Sequence, residues 1–311
     1  MLDLSVIVAT RNNAQWIGQC LDSLLSQRIH GMEILVVDDA STDGSREIID
    51  KYISGNSDQL RTIYMKRQIG VARARDRGIR EARGKFISTL DGDDFLCHPE
   101  KLARELDLAG SNSGENGKTA AFSGIRRVDA TGNPLHPLPH TPEVLEGHIT
   151  RQLLERSCFI PRDFTFDRDI YFRVGGYDPG FSLYEDWDLK VRLSTLVEYR
   201  FTGIEGIAYR RHGAGLSSRP VPDHLRYLHR GFRKNRILLP PKQRRRAART
   251  FRSGLVGLKR RAVNEYLENG NHPARAWIYL MQMKWSNERA PRIQTMLKSL
   301  LRLFPANKDK S

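Results

Sequence analysis

Short apolar runs alternate with helix-like patterns along the first hundred residues. Four short runs rich in apolar and β-branched side chains predict strands, at 4–9, 34–37, 62–65 and 86–90. Between them, apolar or small side chains recur at helical spacing over 16–25, 48–53 and 71–82. Strands alternating with helices form a parallel sheet covered on both faces, so the pattern predicts an α/β fold. Ligands bind such sheets beyond the carboxyl ends of the strands, so the loops after the strands should carry the chemistry.

The middle of the chain gives weaker signals. Residues 110–117 are rich in Gly, Ser and Asn and predict a loop, and residues 118–128 predict a strand that ends in a turn at 129–133. Residues 133–142 carry four prolines and predict an irregular surface loop. We expect residues 151–178 to contribute acceptor contacts, although Phe159, Phe164 and Phe166 are more typical of a core, as is Trp187 further along the chain.

The last third of the chain is helical in pattern and strongly basic. Apolar stripes at helical spacing consist of Phe251, Leu255, Leu258, Ala262 and Tyr266, and of Ile293, Leu297, Leu300 and Phe304. Residues 1–218 hold 28 Lys and Arg against 31 Asp and Glu, whereas residues 219–311 hold 23 against 5. We therefore expect a domain of residues 1–218 and a basic helical extension of residues 219–311, with a hairpin near 270–273.

The composition also bears on the compartment. The three cysteines, Cys20, Cys97 and Cys158, form no CxxC pair, so neither a disulfide framework nor a cysteine zinc site is predicted. The first residues lack the basic and apolar regions of a secretory signal, and no apolar stretch is long enough to cross a bilayer. We expect a cytoplasmic protein, either free or held peripherally on the inner face of the cell membrane.

The first acidic cluster directly follows a predicted strand. It contains Asp38, Asp39 and Asp43. A carboxylate in this position can accept a hydrogen bond from a pyrimidine N–H or from a ribose hydroxyl. Asp39, Ser41 or Asp43 can equally cap the helix that follows, and the segment alone does not choose between the two interpretations.

The second cluster places Asp91, Asp93 and Asp94 directly after another predicted strand. Three carboxylates within four residues repel one another unless a cation or a basic partner is present. Oxygen ligands suit Mg²⁺ or Mn²⁺, which take their remaining ligands from phosphates and water. An acidic turn without a metal is the alternative interpretation.

The third cluster, Glu185, Asp186 and Asp188, opens a predicted helix. Acidic residues in a first helical turn are favoured by the helix dipole, which is a purely structural explanation. A carboxylate beside a sugar-transfer site can instead take the proton from an acceptor hydroxyl.

Taken in order, the motifs resemble those of family 2 glycosyltransferases with the GT-A fold. The resemblance runs from Ser5 to about Ser217. Its motifs are SVIVATRN at 5–12, VVDDASTD at 36–43, GVARAR at 70–75, GI at 78–79, GKFISTLDGDD at 84–94, GGYD at 175–178, EDWDL at 185–189 and RRH at 210–212. Each motif is modest alone, but the whole series in this order is highly specific.

The resemblance implies a role for each matching position. The residues that it assigns to the nucleotide are Ala9, Thr10, Arg11, Asp39, Asp91 and Gly92. It assigns a Mn²⁺ or Mg²⁺ ion to Asp93 and His212. Asp186 matches the general base of inverting members, with Glu185 beside it. Asp94 and Thr165 are weaker candidates for contacts with the donor sugar or the acceptor.

Two positions depart from the pattern of many relatives. Gln68 stands where they have Asn, and Asp76 follows Arg75 where they have Asn. These changes affect the expected donor-sugar contacts but leave the reaction class unchanged.

The sequence thus predicts an inverting, metal-dependent transferase that moves a sugar from a nucleotide-diphosphate donor, a UDP-sugar being favoured. The expected acceptor is a saccharide or polyprenyl-linked saccharide in surface polysaccharide or glycolipid synthesis. A sugar nucleotidyltransferase is one alternative, but that class has a glycine-rich loop after its first strand, and residues 9–14 contain no glycine. A nucleic-acid-binding protein is the other, although the basic excess lies outside the predicted domain. The basic face of the extension can be an ordinary solvated surface or can bind an anionic membrane surface, and the sequence alone does not choose between the two.

Overall fold

The computed structural model describes residues 2–111, 118–136, 144–213, 215 and 218–268. These residues contain eight strands that form one mixed sheet. The strands are β1 (Leu4–Thr10), β2 (Met32–Asp38), β3 (Leu60–Tyr64), β4 (Phe86–Asp91), β5 (Phe95–Leu96), β6 (Thr119–Val128), β7 (Phe164–Asp167) and β8 (Glu198–Arg210).

Ten α-helices lie within the same described residues, and none of them is both long and apolar enough to traverse a bilayer. The helices are α1 (Ile17–Leu25), α2 (Ser45–Gly55), α3 (Val71–Glu81), α4 (Lys101–Gly110), α5 (Thr150–Glu155), α6 (Arg168–Arg173), α7 (Glu185–Leu193), α8 (Val221–Asn235), α9 (Pro241–Gly254) and α10 (Val256–Glu268).

The first half of the sheet is parallel, as the sequence predicts. Its strands follow the order β3-β2-β1-β4, and each neighbouring pair is parallel. Every residue of β1 and β2 is buried, because helices cover both faces of these strands. Helix α3 lies very close to β1, since a Cβ atom at Gly78 would come within 2.5 Å of the Ile7 side chain.

The second half of the sheet is mixed. Strand β7 is antiparallel to both β4 and β6, whereas β6 and β8 run parallel, and the short β5 completes the edge antiparallel to β8. The predicted strand at 118–128 and its turn are confirmed, with the backbone N–H of Asp129 donating to the carbonyl of Asn133 at 2.9 Å. Together the two halves form an α/β fold with a mostly parallel sheet flanked by helices.

The contacts divide the chain into two compact units. One consists of Met1–Leu153 and Cys158–Gly215, and the other of Leu154–Ser157 and Leu216–Ser311. In the second unit Phe251, Leu255 and Ala262 of the predicted apolar stripe are buried and Leu258 is half-buried. The stripe belongs to two helices, because α9 ends at Gly254 and α10 begins at Val256.

Several predicted features fall outside the described residues. They are most of the loops predicted at 110–117 and 133–142, the hairpin near 270–273, and the stripe of Ile293, Leu297, Leu300 and Phe304. The proposed boundary between residues 218 and 219 stays a prediction.

Candidate active site

The carboxyl ends of β2, β1 and β4 meet at one edge of the sheet. In the register of these parallel strands Thr10 pairs with Asp38, and Ala9 pairs with Asp91. The first two acidic clusters and the loop after β1 therefore lie side by side. This edge is where a parallel α/β sheet binds its ligands.

Asp39 organises the loop that leads into α3. Its carboxylate accepts hydrogen bonds from the backbone N–H groups of Ile69, at 2.7 Å, and Gly70, at 2.8 Å. The capping interpretation is therefore wrong for Asp39, whereas Asp43 does accept a hydrogen bond, at 3.1 Å, from the backbone N–H of Ser45 at the start of α2. The predicted contact of Asp39 with a nucleotide stays a prediction.

Gly92 lets the loop after β4 pack against the loop after β1. A Cβ atom at Gly92 would lie 2.4 Å from the hydroxyl oxygen of Thr10. That hydroxyl in turn accepts a hydrogen bond from the side-chain amide of Asn13 at 3.1 Å. Ala9 and Thr10 are buried, while Arg11 is exposed to solvent. Of these loop residues, Arg11 is therefore the one with a side chain free to reach a bound ligand.

The second acidic cluster is close-packed. Asp91, Asp93 and Asp94 each offer a carboxylate oxygen within 4.8 Å of the others. Two arginines neutralise part of this charge: Arg75 pairs with Asp91, and Arg162 pairs with Asp94 and lies 3.0 Å from Asp91. The basic partners that such a cluster needs are thus supplied by the protein itself.

The pKa values of the carboxylates beside the two arginines are shifted in opposite directions. Burial acts to raise the pKa of Asp91, but Arg162 and Arg75 outweigh it and the pKa is lowered. The pKa of Asp94 is raised, mainly by burial and despite Arg162. The Asp94 side chain is 1% exposed and accepts a hydrogen bond from the backbone N–H of Arg210 at 2.8 Å. Asp94 therefore cannot contact a sugar in this conformation, and we do not propose that role.

Asp93 faces His212. The His212 Nε2 atom lies 2.9 Å from a carboxylate oxygen of Asp93, whose side chain is 22% exposed. The imidazole packs on Trp16 with ring centroids 4.3 Å apart, and its buried Nδ1 atom has no hydrogen-bond partner among the described residues. Carboxylate oxygens suit Mn²⁺ or Mg²⁺, and the cluster of Asp91, Asp93 and Asp94 could hold such an ion, while its assignment to Asp93 and His212 stays a prediction.

Arg75 connects the second and third acidic clusters. Its guanidinium group, 2% exposed, pairs with Asp91 on one side and with Glu185, at 2.7 Å, on the other. Glu185 is the first residue of α7, and Tyr184 precedes it in the left-handed conformation at φ +62°. Asp91 and Glu185 are far apart in the sequence, and the buried guanidinium group of Arg75 links them in one site.

Asp186 is paired with a lysine on its own helix. The Lys190 ammonium donates to the Asp186 carboxylate at 2.7 Å and to the carbonyl of Ile160 at 2.7 Å. Burial acts to raise the pKa of Asp186, but Lys190, Arg75 and Arg162 lower it to about 2. The pKa of the neighbouring Glu185 is raised by burial. Asp186 is therefore fully ionised at neutral pH and, with a side chain 23% exposed, is open to an approaching ligand.

Residues 5–176 match the family model described as Glycosyl transferase family 2. This range includes the first two acidic clusters and Arg75 and Arg162, and it ends before α7. The chain belongs to glycosyltransferase family 2. Relatives in Bacillus subtilis include TuaG, named as a teichuronic acid biosynthesis glycosyltransferase, which is 30% identical over 142 residues, 46% of this chain and 54% of TuaG. The glycosyltransferase EpsJ is 30% identical over 182 residues, 54% of this chain and 52% of EpsJ. The chain spans about half the length of these relatives.

Solved structures place the fold in the GT-A class of this family. Staphylococcus aureus TarS (residues 1–349) aligns with a TM-score of 0.60 at 15% identity, covering 98% of this chain and 81% of TarS. The mannosyltransferase PcManGT of Pyrobaculum calidifontis, solved with GDP-Man and Mn²⁺, aligns with a TM-score of 0.59 at 19% identity, covering 98% and 88%. At such identities the similarity establishes the fold alone.

Within this family 2 site, replacing Lys190 with Met should change the pH dependence of the reaction. Loss of the ammonium removes the main cause that lowers the pKa of Asp186, so that this pKa rises from about 2 toward its ordinary value. A carboxylate with a raised pKa is protonated at a higher pH than before. We expect kcat/KM of Lys190→Met to decline by about twofold more than that of the wild type as the pH is lowered from about 7 to about 4.

Lys190→Arg is the matched control, since it keeps a cation on the same helix face and should keep the wild-type pH profile. Superimposable profiles for Lys190→Met and the wild type, both still folded by circular dichroism, would contradict this role of Lys190.

Two predictions for the segment before α7 are corrected. Thr165 is fully buried, and its hydroxyl donates to Glu105 at 2.8 Å, so it cannot contact an acceptor. Glu105 also pairs at 2.9 Å with the buried Lys101 at the start of the same helix, α4. Phe159 is 38% exposed, so the core interpretation is wrong for this residue. It is confirmed for Phe164, Phe166 and Trp187, all of which are buried.

Sequence reasoning missed the two arginines at the centre of the site. The sequence motifs contain Arg75, within GVARAR at 70–75, but they assign it no role, and none of them contains Arg162. Arg162 packs on the ring of Tyr209 at 4.5 Å and reaches across to the loop after β4. The available signal was the excess of carboxylates itself, because three adjacent acids require cations from elsewhere in the chain.

Proposed function

We propose that the protein is an inverting glycosyltransferase that moves a sugar from a nucleotide-diphosphate donor to a hydroxyl group of a saccharide or lipid-linked saccharide. The observation that carries the proposal is the bridge through Arg75. It joins Asp91, beside the Asp93–His212 pair, to Glu185, beside Asp186. Residues suited to hold a diphosphate and a residue suited to accept a proton thus belong to one site.

On this proposal the donor lies along the carboxyl edge of β2, β1 and β4. The residues proposed to bind the nucleotide are Ala9, Thr10, Arg11, Asp39, Asp91 and Gly92. Asp93 and His212 would hold a divalent cation, which would supply Lewis-acid stabilisation of the diphosphate. Arg162 lies at the same edge and adds positive charge beside the phosphates.

Asp186 carries out the proton transfer. Its ionised carboxylate takes the proton of the acceptor hydroxyl while the hydroxyl oxygen forms its bond to the anomeric carbon. The bond from that carbon to the phosphate oxygen breaks, and its electron pair leaves with the nucleoside diphosphate. Attack from the face opposite the leaving group inverts the configuration. Lys190 holds the Asp186 carboxylate through their ion pair, and Lys190 and Arg75 together keep it ionised.

The nature of the donor and the product is proposed from the relatives. TarS has been solved with UDP and with UDP-GlcNAc, and PcManGT with GDP-Man. TuaG is named for teichuronic acid biosynthesis. We propose a UDP-sugar donor, Mn²⁺ or Mg²⁺ as the cation, and a product that is a surface polysaccharide or glycolipid. We also propose that the protein works in the cytoplasm, at the inner face of the cell membrane.

A thermal-shift titration with UDP and GDP, each with and without Mn²⁺, tests this function. At ligand concentrations about 100 times Kd we expect the preferred nucleotide with Mn²⁺ to raise Tm by about 5 °C, and either component alone to raise it less. The absence of any shift with both nucleotides at millimolar concentration would refute nucleotide-sugar use. Formation of a nucleotide sugar from a nucleoside triphosphate and a sugar phosphate would instead identify a nucleotidyltransferase.

A further inference from the structure

The corner between α8 and α9 exposes two adjacent large apolar side chains. It is a short 3₁₀ helix, Arg236–Leu238. Ile237 is 65% exposed and Leu238 is 38% exposed, and Ile237 is the most exposed large apolar residue of the part of the chain that the structure describes. Scattered single apolar residues on a surface are ordinary, but two neighbours at the tip of a corner call for an explanation.

The tip is held in place from beneath. Leu239 directly after it is buried, and the rings of Phe232 on α8 and Phe251 on α9 stack with centroids 4.3 Å apart. The Arg244 guanidinium donates to the carbonyls of Leu239, at 2.8 Å, and Ile237, at 3.0 Å. The exposed pair is therefore presented by a packed helix junction.

The surroundings of the tip are uniformly basic. Between Asp223 and Glu265 the sequence contains 14 Lys and Arg and no Asp or Glu. Arg233, Arg236 and Lys242 are exposed on either side of the apolar pair. Exposed apolar side chains flanked along the chain by exposed basic ones match the two layers of an anionic bilayer surface, where phosphates lie above the boundary of the acyl chains.

We propose that this corner, residues 233–246, docks on an anionic lipid bilayer with Ile237 and Leu238 inserted and the basic side chains on the headgroups. A nucleic acid offers phosphates but no apolar phase for aliphatic side chains, and single strands are bound by stacking on aromatic residues, so lipid fits this surface better. The proposal deepens the membrane location proposed above, and it does not depend on sugar transfer.

Sedimentation with vesicles tests the docking. The full chain is mixed with phosphatidylcholine vesicles containing about one third phosphatidylglycerol, and with vesicles of phosphatidylcholine alone. We expect binding to the anionic vesicles only, lost in high salt. The double variant Ile237→Ser/Leu238→Ser should bind about tenfold or more weakly, because it removes the inserted side chains but no charge. Leu135→Ser, which changes an exposed leucine of the other unit, should bind like the wild type.

A variant that removes positive charge separates the contribution of the basic side chains from that of the inserted apolar side chains. Arg236→Gln/Lys242→Gln should bind the anionic vesicles more weakly and lose part of the salt dependence. Equal vesicle binding by the double serine variant and the wild type would overturn the proposal. The proposal would also be overturned if the full chain bound DNA more tightly than vesicles at the same salt concentration and the double serine variant bound DNA with unchanged affinity. Turnover of a soluble acceptor by the serine variant should stay at the wild-type level, so that failure of docking and failure of the proposed activity can be told apart.

Discussion

Asp186→Asn is expected to lower kcat for sugar transfer by about 10³-fold while leaving nucleotide binding almost unchanged. An amide cannot accept the proton of the acceptor hydroxyl, but it has nearly the same shape and can still accept a hydrogen bond from Lys190. The measurement is release of nucleoside diphosphate with and without acceptor, together with the Kd for the nucleotide.

The matched control for this change is Asp169→Asn. Asp169 is also an acidic residue in the first turn of a helix, α6, and it is exposed. If the carboxylates that open α7 served only the helix dipole, both substitutions would cost a little stability and neither would stop turnover. Near-normal turnover of Asp186→Asn would remove Asp186 from the mechanism.

Asp93→Asn is expected to lower transfer by about 10²-fold or more and to abolish stimulation by Mn²⁺. The neutral amide keeps the size of the side chain but loses the charge that binds a divalent cation beside His212. Mn²⁺ binding followed by electron paramagnetic resonance, with and without UDP, measures this directly. His212→Gln should weaken binding in the same experiment.

Asp107→Asn, an exposed position on α4, serves as the control for a lost negative charge. Its Mn²⁺ affinity and turnover should equal those of the wild type. If Asp93→Asn still binds Mn²⁺ with wild-type affinity, the ion is held elsewhere in the acidic cluster and the assignment to Asp93 and His212 is wrong.

The parallel half of the fold was predictable because its signals are local. Strands β1, β2 and β4 are buried on both faces, and each has a sequence rich in apolar and β-branched side chains. Because these strands are parallel, the carboxylates that follow β2 and β4 lie at the same edge of the sheet. The antiparallel strand β7 has only four residues, too few for a pattern. Its place between β4 and β6 is set by pairing over long sequence separations, which no window of sequence reveals.

The contacts within the site were also hard to predict from the sequence, because they join residues that are far apart along the chain. The motifs bring Asp91, Asp93 and Asp186 to attention, but they do not say which basic residue neutralises which acid. Arg162 reaches the cluster from the segment before β7, over 68 residues from Asp94, so its role depends on tertiary packing. Thr165 is a polar residue that suggested a ligand contact from sequence alone. In the fold its hydroxyl instead donates a hydrogen bond to the buried Glu105.

The pairing of Arg75 and Arg162 with the acidic edge has a consequence for the order of events. Much of the negative charge there is already balanced by groups that belong to the chain, so the acidic edge does not depend on a metal ion to hold its shape. On the proposed function, Asp93 and His212 would receive the cation and the diphosphate on a framework that the arginines already stabilise. Loading and emptying of the cleft can repeat at every turnover without the surrounding scaffold having to refold.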